Sequence, residues 1–584
     1  MFILGLNAFH GDSSACLVRD GILIAAAEEE RFRRIKHWAG CPVDAIRYCL
    51  FEAGIDFSQV KHIAINQNPN ANFSRKISYA VSQRPEIGMI FDRFKNKRKR
   101  QSLLQHLTMA FRDRPFSGEI HQVEHHLAHM SSAFHTSPFS DAVLVSVDGF
   151  GDFASTAWGV GRGVSIEVED KVFFPHSLGI FYQALTQFIG FPNYGDEYKV
   201  MGLAPYGKPE FMSEMRKIVN SFSGGGFTLD LSYFRHHKEK VTYEWDGGSP
   251  VIGALFSEKL EDLLGPARKK GEPLTQRHKD IAHSVQAMYE EVFFSLLNSL
   301  HLRHNLDAVA IAGGCGMNSV ANGKVRLRTP FKRVYVQSAA GDAGGAIGAA
   351  LTVWHKVGGE AAKIRGPAHD HAYWGPSFTN EQIEELLNQS ANEIEEQVCV
   401  VKKIDDSNTL FEETANSISQ GLVIGWFQGR MEWGPRALGN RSILCDPRRG
   451  DMKDTLNLKI KRRESFRPFA PSVLWDAVSE WFEQDDDVPF MMQVYQIRAE
   501  KRELIPAVTH VDGSGRLQTV YEHTNPRYFG LISAFRDLTG VPMVLNTSFN
   551  ENEPVVCTPR EALDCFLRTK MDVLVLGNWV VRRT

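Results

Sequence analysis

The chain carries eight cysteines in 584 residues, and no two are spaced as C-x-x-C, which argues against both a zinc ribbon and a disulfide framework. Reduced thiols are expected. It also lacks an apolar run of the roughly 18 residues that a membrane-spanning helix needs. Its opening residues, MFILGLNAFHGDSSACLV, lack the basic stretch of a secretory signal. No membrane partner and a cytoplasmic location are therefore expected. Nor is either charge in excess: 66 Lys and Arg against 69 Asp and Glu leave a formal charge of −3, so no general attraction for nucleic acid arises. What is present, 43% hydrophobic and 23% charged residues, is the composition of a soluble globular protein. Single cores stop growing at about 250–300 residues, so at least two domains are expected.

A repeated hairpin organises the first half. FILGLNAFHGDSSACLVRDGILIAAAEEERF reads as a strand, a small-residue loop, and two apolar runs joined at Asp20-Gly21, a pair suited to a tight turn. AVLVSVDGFGDFASTAWGVGRG repeats the scheme, with an apolar run ending at Asp148-Gly149 and another starting at Ser155. Polar glycine-rich loops between strands present N–H groups to phosphate oxygens. Two such hairpins, one opening each half, are the plan of the actin-like sugar kinases and ATPases. VAIAGGCGMNSVANGKV adds a strand feeding a Gly-Gly turn, with Gly313, Gly314 and Asn318 as candidate nucleotide contacts. VQSAAGDAGGAIGAAL is a fourth glycine cluster.

VEHHLAHMSSAF gathers three histidines, His125, His126 and His129. On a helix, residues four apart share a face, so His125 with His129, or His121 with His125, could address one ion. Asp148 ends a buried strand, and Asp342 sits in another loop of nucleotide-binding character. Two imidazoles and two carboxylates suit iron, manganese or zinc.

The motifs GLNAFHGDSSACLVRDGILIAAAEEERFRRIKH, HHLAHMSSAF, VDGFGD, DEYKVMGLAPYG, GGCGMNS and GDAGGAIGAA together resemble the NodU/CmcH-type O-carbamoyltransferases. The resemblance runs along nearly the entire chain. It implies an α/β protein: an actin-like (ASKHA) duplicated N-terminal domain, residues 1–370, similar to the tRNA threonylcarbamoyladenosine transferase, and a YrdC-like α/β C-terminal domain, residues 371–584. It further implies His125, His129, Asp148 and Asp342 as ligands of Fe(2+), with an adenylate phosphate completing the shell. His121 and His126 stay outside that set.

In the C-terminal part, Arg430, Arg436, Arg441, Lys461 and Arg467 are spaced among Trp426, Trp433, Phe466 and Phe469. Isolated cations in apolar surroundings normally face an anion. Arg516 follows, and PMVLNTSFNENEP ends an apolar strand at Asn546, Thr547 and Ser548, groups able to bond phosphate oxygens. The YrdC-like resemblance places anion binding on Arg436, Lys461, Arg467, Arg516 and Ser548, with Asn546 beside them. The dense basic run RFKNKRKR, residues 93–100, reads as a solvated surface.

The implied chemistry converts carbamoyl phosphate and ATP, with Mg(2+), into carbamoyladenylate, releasing pyrophosphate and phosphate. The carbamoyl group then passes to a hydroxyl of a small-molecule acceptor of glycosidic or antibiotic-like type. His10 and Asp12 are candidates for the base that takes the hydroxyl proton, and Lys36 for orienting the substrate. A homodimer is compatible with this reading. Two rivals share the N-terminal plan. A tRNA-modifying enzyme would call for extensive phosphate neutralisation, which the balanced charge does not offer. A plain actin-like ATPase or nucleotide sensor would need neither the four-ligand cluster nor the second anion site.

Overall fold

In the computed structural model the chain forms two compact units, Met1–His369 and Asp370–Thr584. The structure describes residues 1–83, 103–222, 224–239, 243–244, 248–461, 464 and 466–584. No helix among them is long and apolar enough to cross a membrane.

The first unit contains two five-stranded sheets of one connectivity. Strands β1 (Phe2–Asn7), β2 (Ser14–Arg19), β3 (Ile22–Glu28), β4 (Val60–Ile65) and β5 (Glu119–Gln122) lie in the order β3-β2-β1-β4-β5. Strands β6 (Asp141–Gly151), β7 (Ala154–Arg162), β8 (Ser165–Phe173), β9 (Ala308–Ala312) and β10 (Arg333–Val336) repeat it as β8-β7-β6-β9-β10. In each sheet the first three strands pair antiparallel and the last two extend the first strand in parallel. This duplication is the actin-like plan expected from the sequence. Parallel strands are covered on both faces, which is why β9 reads as an unbroken apolar run and is buried throughout.

Asp20 and Gly21 both adopt positive φ, 51° and 82°, the backbone of the turn the Asp-Gly pair predicts. The second hairpin differs from its expectation. β6 runs past Asp148-Gly149 to Gly151, the turn falls at Asp152 and Phe153 (φ 48° and 75°), and the pairing register shifts between Val147 and Gly151. That irregularity takes Asp148 off the regular ladder and re-aims its side chain.

Helices α1 (His125–Phe134), α2 (Gln276–His304) and α3 (Gly345–Val357) matter most here. α1 begins on Glu124, whose carboxylate accepts from the Leu127 N–H at 2.8 Å and satisfies an otherwise orphaned donor. α3 crosses α1 at close range, since a Cβ on Gly348 would overlap the Ala128 carbonyl oxygen. Gly348, in a cluster that suggested a nucleotide loop, serves helix packing.

The second unit is built on a nine-stranded mixed sheet. Its strands are β11 (Cys399–Lys403), β12 (Ile424–Phe427), β13 (Arg441–Cys445), β14 (Ala470–Leu474), β15 (Gln493–Gln496), β16 (Ser514–Val520), β17 (Met543–Ser548), β18 (Val573–Leu576) and β19 (Trp579–Arg583). They lie in the order β11-β19-β18-β12-β13-β17-β14-β16-β15. Trp426, Leu444, Val544 and Leu574 from its central strands join one core with Leu531 and Phe535 of a covering helix. The α/β class expected for this part is what the structure shows.

Candidate functional site

Of the two histidine pairings that spacing left open, the fold realises His125 with His129. Their Nε2 atoms lie 3.0 Å apart and both side chains are buried. Asp148, at the irregular end of β6, brings Oδ2 to 2.9 and 3.1 Å from those nitrogens. Asp342, in the turn that leads into α3, places Oδ1 at 3.6 and 3.5 Å. Gly313 and Gly314 hold Asp148 in place. The Gly314 N–H donates to Asp148 Oδ1 at 3.1 Å, a Cβ there would meet that oxygen at 2.8 Å, and Gly313 sits at φ 88° against the Val147 backbone. Asn318 caps the short helix Ser319–Gly323 and exchanges hydrogen bonds of 2.9 and 3.1 Å with Gln286 of α2.

Burial pulls the His125 imidazole down, but the hydrogen bond to Asp148 and the charges of Asp342, Asp148 and Asp152 outweigh it and raise its pKa to about 9. His129 is raised as well, against burial and the repulsion of His125, by its hydrogen bond to Asp148 and the nearby Asp342 carboxylate. Burial would raise Asp148, yet the two imidazoles hold its carboxyl well below the usual range. Burial and the neighbouring Asp148 charge raise Asp342. Asp342 Oδ1 is buried without a hydrogen-bond partner, because 3.5–3.6 Å is too long for one. A set of two imidazoles and two carboxylates converging on one point fits a divalent ion bound at roughly 2.0–2.2 Å.

The His10 ring centroid lies 6.0 Å from that of His125. His126, pushed down to about 3 by burial, faces away and shares a hydrogen bond with Ser146 Oγ at 2.8 Å. His121 lies on β5 against His62. Asp12 pairs with His37, Oδ1 to Nδ1 at 2.8 Å, and Glu30 accepts from the His37 N–H. Burial lowers His37, but the Asp12 charge and hydrogen bond prevail and lift it to about 9. Lys36, the candidate named from the sequence, is exposed. His37, one residue on, was missed because EEERFRRIKH reads as a run of charge. Glu197 was missed too. It opens the helix Glu197–Leu203 and is pushed up to about 7 by burial, and Tyr194 nearby packs against Gly11. Glu197 lies in DEYKVMGLAPYG, a motif whose only signal was the resemblance.

In the second unit, strand register puts Arg516 of β16 and Asn546 and Ser548 of β17 on one sheet face. Asn546 Nδ2 donates to Ser472 Oγ at 2.9 Å, to Gln518 Oε1 at 3.2 Å, and to the carbonyl of Ala437, beside Arg436, at 3.0 Å. The buried Lys461 ammonium donates to the carbonyls of Ser548 and Asn550 at 2.6 and 2.7 Å and to Asn550 Oδ1 at 2.7 Å, which pins the turn after β17. Arg467 lies 3.5 Å from Glu464, just before β14. Thr547 alternates to the opposite face. Arg430 and Arg441 instead serve the backbone. Arg430 donates to the Trp374 and Gly375 carbonyls. Arg441, fully buried, donates to those of Gln428, Asn440, Pro376 and Gly429 and lies 3.6 Å over the Phe427 ring. The basic run 93–100 lies outside the described residues.

These features define a transferase of carbamoyl groups on comparison with known proteins. The family profile for the carbamoyltransferase N-terminus matches residues 2–351 and that for the C-terminus matches residues 415–583. The chain belongs to the carbamoyltransferase family and is an enzyme. It is 40% identical over 613 residues to protein sll1178 of Synechocystis, covering 100% of this chain and 97% of that one. It is 39% identical over 588 residues to nodulation protein NolNO of Sinorhizobium fredii, covering 99% and 80%. It is 33% identical over 275 residues to the 3′-hydroxymethylcephem-O-carbamoyltransferase of Amycolatopsis lactamdurans, covering 47% and 48%.

Proposed function

We propose that the chain is an ATP-dependent O-carbamoyltransferase whose second unit makes carbamoyladenylate and whose first unit transfers the carbamoyl group to a small-molecule hydroxyl. The observation that carries this reading is the meeting of His125, His129, Asp148 and Asp342 at one buried point in a carbamoyltransferase.

In the second unit, Arg436, Arg467 and Arg516 hold carbamoyl phosphate and the ATP phosphates, with Mg(2+) sharing the charge, because polyanions approach one another only among fixed cations. Lys461 acts through position, fixing the turn that presents Ser548 beside Asn546. Carbamoyl phosphate loses phosphate to water. The carbamate oxygen then attacks the α-phosphorus, and pyrophosphate leaves.

In the first unit, His125, His129, Asp148 and Asp342 would hold Fe(2+), which when bound supplies Lewis acidity toward the adenylate. Asp12, oriented by His37, takes the proton of the acceptor hydroxyl as its oxygen bonds to the carbamoyl carbon and AMP departs. His10, beside His125, and the exposed Lys36 line the acceptor side of this reaction. The name of the cephem relative, an O-carbamoyltransferase, supports a small hydroxyl-bearing acceptor. Incubation with ATP and carbamoyl phosphate tests the scheme: pyrophosphate should be released, and release of ADP alone would overturn it.

A further inference from the structure

A separate group of ligating side chains lies on the outer strand pair of the first sheet. β4 and β5 run parallel with His62 opposite Glu119 and Ala64 opposite His121. Residues two apart share a face of a strand, so His62, Glu119 and His121 point the same way. His62 Nδ1 is 3.0 Å from His121 Nε2, and Glu119 Oε2 is 3.9 and 3.6 Å from these two nitrogens. A point equidistant from the three atoms lies about 2 Å from each, the bond length of zinc to imidazole or carboxylate, roughly 2.0–2.2 Å. A hydrogen bond between the rings accounts for their approach, and the strand register brings the carboxylate oxygen to the same point.

The two imidazoles are largely enclosed, 16% and 15% exposed, whereas Glu119 is 74% exposed. The ring positions are thus set by packing, and the solvent side is left for water as a further ligand. Burial lowers the His121 pKa, the nearby His62 and Lys356 lower it further, and Glu119 opposes them.

We propose that His62, Glu119 and His121 form a structural site for Zn(2+) or a similar borderline divalent ion, clamping the edge strand β5 to β4. β5 is four residues long and leads directly into α1, so the clamp would secure the approach to His125. This inference does not rest on the assignment of iron to the His125 centre.

The test uses the full chain stripped of metal and titrated with Zn(2+) by calorimetry, with unfolding temperature followed in parallel. The His62→Ala/His121→Ala variant should bind one equivalent fewer than the wild type and lose part of the zinc-dependent rise in unfolding temperature. Its iron binding at the His125 centre should persist. Equal equivalents and an equal rise in both proteins would overturn the site. Should the double variant fail to fold, Glu119→Gln, at an exposed position, carries the test. It should weaken one zinc site by at least about tenfold, the smallest effect typical when even a residue behind a ligand is lost. Unchanged zinc affinity in that variant would equally overturn the proposal.

Discussion

His125 and His129 set their Nε2 atoms 3.0 Å apart, and two neutral imidazoles can tolerate that only with a proton or a cation between them. Asp148 and Asp342 close on the same point, so the cluster gains most from a cation. His129→Ala should therefore lower bound iron severalfold and abolish carbamoyl transfer while pyrophosphate release continues. Elemental analysis of the purified variant decides the matter, since a full complement of iron would remove the assignment. The Asp12–His37 pair makes a second residue-scale prediction. Imidazole titrates near 6.5 in an unfolded chain, and His37 is held at about 9 in the fold. The folded state thus binds the proton more tightly. The stabilisation is complete below pH about 6.5 and is lost as pH rises through about 9. Measured against His37→Gln, the wild-type unfolding temperature should fall across that window, and parallel pH curves would dismiss the pair.

At the scale of elements, the meeting of α1 and α3 brings the imidazoles to Asp342, and glycine permits it. A Cβ at Gly348 would run into the Ala128 carbonyl, with backbone rather than a flexible side chain in the way. Gly348→Ala should cost about 1–3 kcal/mol of stability, as overpacking of a tight contact typically does. It should also reduce iron content, because α3 continues from the turn that holds Asp342. Thermal unfolding with metal analysis checks both, and an unaltered variant would show that the helices have slack. The hairpins illustrate how far elements were legible. Asp20-Gly21 is a turn by its own backbone preferences, and the structure has it there. Asp148-Gly149 looks the same in sequence but lies within β6, because the Asp148 carboxylate accepts from the N–H groups of Gly149 and, from a distant loop, Gly314.

Across the whole molecule, each unit carries its own cluster, which makes the proposed division of labour separable by mutation. Arg516→Ala should weaken carbamoyl phosphate use by roughly 30-fold or more, since losing a desolvated charge contact costs about 2–5 kcal/mol. Iron should remain bound in the first unit. Chemically supplied carbamoyladenylate should restore transfer, and normal use of carbamoyl phosphate by this variant would refute the role given to Arg516. Lys461→Ala is the less discriminating substitution, because the ammonium ties Ser548 to Asn550 and its loss disturbs the turn itself.

By itself the sequence determined what acts over a few residues or along a long motif string. Continuous apolar runs set the parallel strands, the Asp20-Gly21 pair set its hairpin, spacing of four restricted the imidazole pairs to two, and the ordered motifs marked the family. Only the tertiary structure decided that His125 joins His129 rather than His121, and that Asp12 is held by His37. It also decided that Arg441 and Lys461 donate to backbone carbonyls while Arg516 shares a face with Asn546 and Ser548. The physical reason is range. Turn chemistry and periodicity work through chain neighbours, whereas the partner of a buried charge is chosen by strand order, register and the depth at which helices cross.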